Sequence, residues 1–143
     1  MNLKQIEEDL AFLRDYDVVV FGSYVTGYFR EGSDIDIALI TKVKDYGKNL
    51  DIFKHLLGRA PAVYDIRIFE LLSLRIKASV MDDYTILYGR LPDISEYFYH
   101  YRKLWDDCKQ RVESGYFENY RELVDAIRRF KRIEGRLPQI LGR

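Results

Sequence analysis

Two short stretches of this chain carry residue types that can work on phosphate. In the first, Gly22-Ser23 follows the apolar, largely β-branched run Asp17-Val18-Val19-Val20-Phe21. Such a run reads as a buried strand, so the Gly-Ser pair falls where a strand turns into a helix N-terminus. Amides without intrahelical partners and the positive end of the helix dipole favour an anion such as phosphate there. Glycine lets the backbone come close, and the Ser23 hydroxyl adds a donor. In the second stretch, Asp34 and Asp36 stand two apart in Asp34-Ile35-Asp36-Ile37-Ala38-Leu39-Ile40. Strand alternation puts both carboxylates on one face with Ala38, and Ile35, Ile37 and Leu39 on the other. Neighbouring carboxylates repel, and burying either one ionised is costly unless a cation neutralises it. Oxygen ligands on a rigid strand suit Mg²⁺, which takes one or two carboxylates plus substrate phosphates. Taken singly, strand–Gly-Ser–helix junctions are common, and the aspartates fit an exposed polar face. Ser23 eleven residues ahead of Asp34 turns the combination toward phosphate chemistry.

A third carboxylate is expected on a neighbouring strand, and Asp65 is the best candidate. It interrupts the otherwise apolar alternation of Val63-Tyr64-Asp65-Ile66-Arg67-Ile68-Phe69, where an aspartate needs a reason. An ion pair with a nearby Arg or Lys is the competing account. Three converging aspartates allow two Mg²⁺ ions to clamp an in-line phosphoryl or nucleotidyl displacement. One ion would lower the pKa of the attacking hydroxyl; the other would neutralise the triphosphate and the leaving pyrophosphate. Arg67 shares a strand face with Asp65, so it either reaches a phosphate or acceptor or tethers Asp65 in a salt bridge.

The elements that must position these groups are legible as periodicities. Leu3, Ile6, Leu10 and Leu13 predict an amphipathic helix from Leu3 to about Arg14. A short helix from Ser23 to Phe29 is expected, closed by the turn Arg30-Glu31-Gly32-Ser33. Tyr46 to Leu57 reads as a helix with Leu50, Phe53, Leu56 and Leu57 inward, ended by Gly58 and Pro61. A helix from Glu70 to about Val80 and a strand at Thr85-Ile86-Leu87-Tyr88 follow. After Pro92 the chain reads as helical, with Asp93 and Glu96 as a capping box and Ile94, Tyr97, Tyr101, Leu104, Cys108 and Val112 in one stripe. Ser114-Gly115 breaks it, and Asn119 with Glu122 caps a second helix presenting Leu123, Ile127 and Phe130. The expected fold is α/β (α+β): a mixed β-sheet core flanked by helices over residues 1–91, with a C-terminal helical hairpin and basic tail over 92–143 in the same compact unit.

The run from Gly22-Ser23 to Ser33-Asp34-Ile35-Asp36-Ile37, with Gly27 and Arg30 between and a strand aspartate downstream, resembles the nucleotidyltransferase superfamily typified by DNA polymerase beta. The short chain is most similar to its minimal nucleotidyltransferases, over roughly residues 15–90. The resemblance implies that Gly22, Ser23, Arg30 and Ser33 bind the nucleotide triphosphate. It makes Asp34, Asp36 and Asp65 the catalytic carboxylates and metal ligands. It further implies two Mg²⁺ ions, ATP or another NTP as donor, and transfer of a nucleoside monophosphate, usually AMP, to a hydroxyl. Members often serve as antitoxins that attach AMP to a tyrosine of a HEPN-type ribonuclease toxin, which gives a possible partner. Tyr24, Val25 and Thr26 depart from the small or basic residues many relatives carry after Gly-Ser, which bears on triphosphate grip but removes no metal ligand. Transfer to a small molecule or an RNA end is the alternative acceptor class, and a non-catalytic nucleotide-binding or assembly module is the alternative outside catalysis.

Composition bounds the rest. At 143 residues, 48% hydrophobic and 32% charged, the chain suits one globular domain with its own core. No apolar run approaches the ~20 residues a bilayer needs, and the N-terminus lacks a secretory pattern. Cys108 is the lone cysteine, so no internal disulfide forms, and a reducing cytoplasm is expected. Zero net charge argues against a DNA-coating protein, yet the balance is −4 over residues 1–100 and +4 over 101–143. The basic end reads as a solvated helix face, or as a patch for an acidic partner or RNA. His55 reads as an edge or surface histidine, Cys108 as a small buried hydrophobe, and Arg75 and Lys77 as solvated helix charges. Tyr97-Phe98-Tyr99-His100-Tyr101 with Trp105 reads as packing onto the core or onto another copy, hence a possible homodimer through the C-terminal helices; a stacking surface for adenine or acceptor is the other reading.

Overall fold

Asn2 starts the first helix, its side chain accepting the Gln5 N–H at 2.9 Å. That helix, α1 (Leu3–Asp9), tightens into a 3₁₀ turn over Ala11–Leu13, which brings Ile6, Leu10 and Leu13 into full burial as one stripe. The computed structural model describes residues 2–114 and residue 128. Beyond α1 come β1 (Asp17–Phe21), α2 (Ser23–Thr26), β2 (Ile35–Ile40), α3 (Tyr46–Leu56), β3 (Tyr64–Ile68), α4 (Leu74–Asp82), β4 (Tyr84–Tyr88) and α5 (Leu91–Ser114).

The four strands form one mixed sheet in the order β3-β2-β1-β4. β1 runs antiparallel to both β2 and β4, while β2 and β3 are parallel, with α3 in the crossover that a parallel pair requires. This is the expected α+β architecture. Asp36 faces Phe21 on one side and Asp65 on the other, so the candidate carboxylates share one end of the sheet.

Each face of the sheet is covered. Val18, Val20, Ile35, Ile37, Leu39 and Ile68 pack with α1 and with Leu56 of α3; Val19, Phe21, Ala38, Ile40 and Phe69 pack under α4 and α5. β2 is therefore apolar on both sides along most of its length, and polar only at Asp36, its second residue. Phe69 is fully buried at the centre of an aromatic layer, with ring centroids of Phe98 at 5.0 Å, Tyr101 at 5.3 Å and Tyr97 at 6.2 Å. Tyr97, Phe98, Tyr101 and Trp105 thus belong to the chain's own core, while Tyr99 is exposed.

Several expected boundaries and faces shift. α2 ends at Thr26 rather than Phe29, because Gly27 enters the left-handed region at φ 90°. α3 ends at Leu56, and Leu57 turns outward, 61% exposed, where the backbone becomes extended. Residues 69–71 form a 3₁₀ turn, so α4 starts only after Ser73 caps it. α5 begins at Leu91, ahead of the expected Asp93 cap: the Ile94 N–H donates to the Arg90 carbonyl at 3.1 Å, and Pro92 sits in the first turn, where its missing N–H costs nothing. Cys108 is half-buried rather than buried. The second helix of the hairpin, the basic tail and Val112's place in the stripe lie outside what the structure describes at side-chain level.

Lys77 is the largest departure. It is 3% exposed, on the α4 stripe of Leu74, Ala78 and Met81, with its ammonium 4.9 Å from the Tyr101 ring centroid and 5.9 Å from that of Phe69. A second polar island lies at the end of the sheet away from the aspartates. The Glu70 carboxylate accepts the Thr41 N–H at 3.1 Å, the Lys42 N–H at 3.0 Å and the Tyr97 hydroxyl at 2.7 Å. These bonds hold Lys42 at φ 59°, and its ammonium pairs with Asp17 at 3.1 Å. Buried Thr41 and Asn49 complete the island, the Thr41 hydroxyl lying 2.6 Å from the Asn49 amide oxygen.

Burial and the neighbouring Glu70 charge push the Tyr97 phenol well above its ordinary 10.0. The folded state binds that proton more tightly than the unfolded chain, so this contribution is whole below about pH 10 and is lost as pH rises toward the folded value. Tyr97→Phe is expected to cost about 1 kcal/mol near neutrality through the lost hydrogen bond. Between about pH 9 and about pH 11 it should also flatten the decline in stability, read by urea unfolding. A decline as steep as the wild type's would sink this account.

Candidate active site

β1 delivers the chain to the site edge, where Phe21 gives way to Gly22 at φ 76° and ψ −151°, a backbone state open to glycine and strained for other residues. A second constraint coincides with it. A Cβ on Gly22 would lie 2.3 Å from Asp36 Oδ2 and 3.2 Å from its Cγ, so the carboxylate of β2 occupies the space a side chain would need. Glycine here serves the neighbouring strand as much as any ligand. The Val25 and Thr26 N–H groups both donate to the Gly22 carbonyl, at 3.0 and 3.1 Å. Helix geometry gives the Ser23 amide, the first of α2, no intrahelical acceptor. With only four residues, α2 contributes local N–H dipoles rather than a long macrodipole.

The link from α2 to β2 folds back on itself. Phe29 packs edge-on against Tyr24, with centroids 5.4 Å apart, and the Ser33 N–H closes a turn onto the Arg30 carbonyl at 2.9 Å. Arg30 is exposed and Ser33 half-buried, immediately before Asp34. The Ile35 N–H then donates to the Val63 carbonyl at 2.8 Å, tying the start of β2 to the approach to β3. Adjacent strands lie roughly 4.8 Å apart, so the paired register sets Asp36 and Asp65 side by side on one face. Asp34 precedes β2 and is exposed.

The charges are unevenly compensated. Burial raises the Asp36 pKa above 3.8, Asp65 and Asp34 raise it further, and Arg67 opposes them. Arg67 Nε lies 3.3 Å from Asp65 Oδ2, so of the two readings the sequence leaves open for Arg67, the tether to Asp65 is present. Both side chains reach solvent, at 55% and 36% exposure. Sequence reasoning placed Gly22, Ser23, Arg30, Ser33, Asp34, Asp36 and Asp65 in one neighbourhood; of these the fold sets Gly22, Asp36 and Asp65 side by side, with Arg30 and Ser33 on the turn that leads through Asp34 into β2. It missed the supporting bond from the Tyr64 hydroxyl to Asp9 Oδ2, 2.6 Å, which braces the start of β3 against α1 beside Asp65. Tyr88 adds a second brace, donating to the Glu7 carbonyl. Neither has a local sequence signal, because each joins segments far apart in the chain. His55 is exposed, its ring nitrogen 2.7 Å from the Asp51 carbonyl, and stands outside the site.

Among the described residues, no group of three or more His, Cys, Asp or Glu side chains is drawn together as a ready-made metal cage. The donor set nevertheless fits a hard divalent cation: carboxylate oxygens only, one of them half-buried, crowded by like charge and held in a notch that glycine leaves open.

Residues 3–87 match the family model of the nucleotidyltransferase domain. A Methanocaldococcus jannaschii protein named "Putative protein adenylyltransferase" is 33% identical over 127 residues, covering 89% of this chain and 97% of that protein. One chain of a toxin–antitoxin crystal structure with AMP-PNP superposes with a TM-score of 0.54 at 22% identity, over 80% of this chain and 98% of that one. A structure of tri-AMPylated Shewanella oneidensis HEPN toxin in complex with MNT antitoxin gives a TM-score of 0.51 at 20% identity, over 79% and 98%. At such identities the structural likeness is one of fold.

The Gly22–Asp36 contact makes a quantitative prediction. Gly22→Ala is expected to destabilise the fold both through backbone strain and through the clash with Asp36. In an Asp36→Ala background only the strain remains, so the alanine at position 22 should cost about 1 kcal/mol less there. Urea unfolding of the four proteins gives the cycle; strictly additive effects would contradict the contact.

Proposed function

Because the chain belongs to the nucleotidyltransferase domain family, we propose that it is a protein adenylyltransferase, moving AMP from ATP to a tyrosine hydroxyl of a HEPN-type partner. The observation that carries the reading is the register that sets Asp36 beside Asp65, with Gly22 packed against Asp36. The near-complete mutual coverage with the Methanocaldococcus jannaschii relative supports a protein as acceptor. Toxin–antitoxin complexes among the structures sharing the fold support the partner class.

In this reading Gly22 and Ser23 receive the triphosphate, the glycine by allowing close approach and the serine by its hydroxyl and amide. Arg30 and Ser33, on the turn leading to Asp34, take further phosphate oxygens. The acceptor hydroxyl attacks the α-phosphorus, the bond from that phosphorus to the bridging oxygen breaks, and pyrophosphate leaves. The hydroxyl proton passes to the carboxylate cluster. Asp34, Asp36 and Asp65 would hold Mg²⁺, which when bound supplies charge neutralisation along the triphosphate and acidifies the attacking hydroxyl. The strand ends keep the carboxylates aligned for this, so little reorganisation accompanies the reaction. ATP as donor and the lone cysteine support a cytoplasmic setting. No helix among the described residues is long and apolar enough to cross a membrane.

Incubating the protein with α-labelled ATP, Mg²⁺ and a purified HEPN-type protein encoded beside it tests the reading. Label is expected on a partner tyrosine, with pyrophosphate released. Asp36→Asn should reduce transfer by roughly 100-fold or more while leaving the fold intact, since it removes a transition-state charge contact and relieves ground-state repulsion. Label appearing only on RNA or a small molecule would replace the protein acceptor. Undiminished transfer by Asp36→Asn would overturn the site.

A further inference from the structure

We propose that Arg67 is the built-in counter-cation of the carboxylate cluster, which a divalent cation must displace from Asp65 to enter the site. The inference rests on the metal-dependent reading above and concerns how the metal is admitted. Arg67 lies one level along β3 from Asp65 on the same face, opposite Ala38 of β2. At that level β2 offers only a methyl group, so the guanidinium is drawn back toward the aspartates, and its Nε stands 3.3 Å from Asp65 Oδ2. Its field reaches the second strand as well, opposing the mutual repulsion felt at Asp36.

The same geometry makes the pairing exchangeable. The contact is made through Nε, with both side chains in reach of solvent, 55% and 36% exposed. Ion pairs of this kind contribute little net stability, because water and salt screen them and two side chains must be ordered. The Arg67 side chain, 55% exposed, can swing out toward solvent from this strand, which is an edge among the described residues. A divalent ion brings twice the charge to the same oxygen and coordinates it directly. Arg67 thereby keeps the cluster partly neutral before metal arrives, and sets the concentration of metal needed to load it.

Mn²⁺ alone, titrated into the full-length protein and followed by electron paramagnetic resonance of the free ion, tests this without nucleotide or turnover. Arg67→Met should tighten binding roughly 3- to 10-fold, by removing both the competitor and its repulsion. Arg67→Lys, which keeps the charge, should stay near wild type. Asp36→Asn reports separately on the site: binding that is lost in this variant yet unchanged or weaker in Arg67→Met overturns the counter-cation role and leaves the metal reading standing. Absence of Asp36-dependent binding in both the wild type and Arg67→Met overturns the two together.

Discussion

The parallel pairing of β2 with β3 in a single register is the constraint on which the rest of the site depends. Side chains alternate along a strand, so a slip of one residue would send Asp36 and Asp65 to opposite faces. Burial on both sides of β2 forbids such a slip, since it would exchange Ile35, Ile37 and Leu39 with Asp36, Ala38 and Ile40. Hydrogen bonds pin both ends. The Ile35 N–H holds the Val63 carbonyl at the site end, and Glu70 gathers the Thr41 and Lys42 amides at the other. Tyr64 fixes the start of β3 to α1 through Asp9, so the first helix takes part in aligning two strands it does not lie between.

Against that rigid frame the site itself is electrostatically uncomfortable. A half-buried carboxylate beside two others raises the free energy of the folded chain, and the fold tolerates it because apolar packing elsewhere is dense. Phe69, which follows the end of β3 remote from Asp65, and the rings of Tyr97, Phe98 and Tyr101 supply much of that packing. The candidate site and the aromatic centre around Phe69 thus stand toward different ends of β3.

What the sequence revealed follows the same division. β1 was legible to its end residues, because an unbroken β-branched run has few other conformations. The aspartate pair and the Gly-Ser junction were legible because local alternation and a strand-to-helix turn are short-range properties. The α2 boundary was misplaced because Gly27 ends that helix before its residue propensities would. Lys77 was assigned to solvent by its charge, although its spacing with Leu74, Ala78 and Met81 lies on the buried stripe; rings from α5 and the 3₁₀ turn before α4 make that burial tolerable. Glu70 and Tyr64 could not be read, since their roles arise only when distant segments meet, whereas the Arg67 tether, two residues from Asp65 on one strand face, was one of the two readings open from sequence.

The position of β3 carries one more consequence. Among the described residues β3 has one unpaired edge, and such a strand is a template on which further copies can stack into insoluble sheets. Asp65 and Arg67 sit on this strand among Tyr64, Ile66 and Ile68, and a docking strand would have to strip water from both charged groups. The two charged residues that face the candidate site are therefore also the strand's gatekeepers against aggregation, and solubility and the proposed chemistry constrain the same two positions.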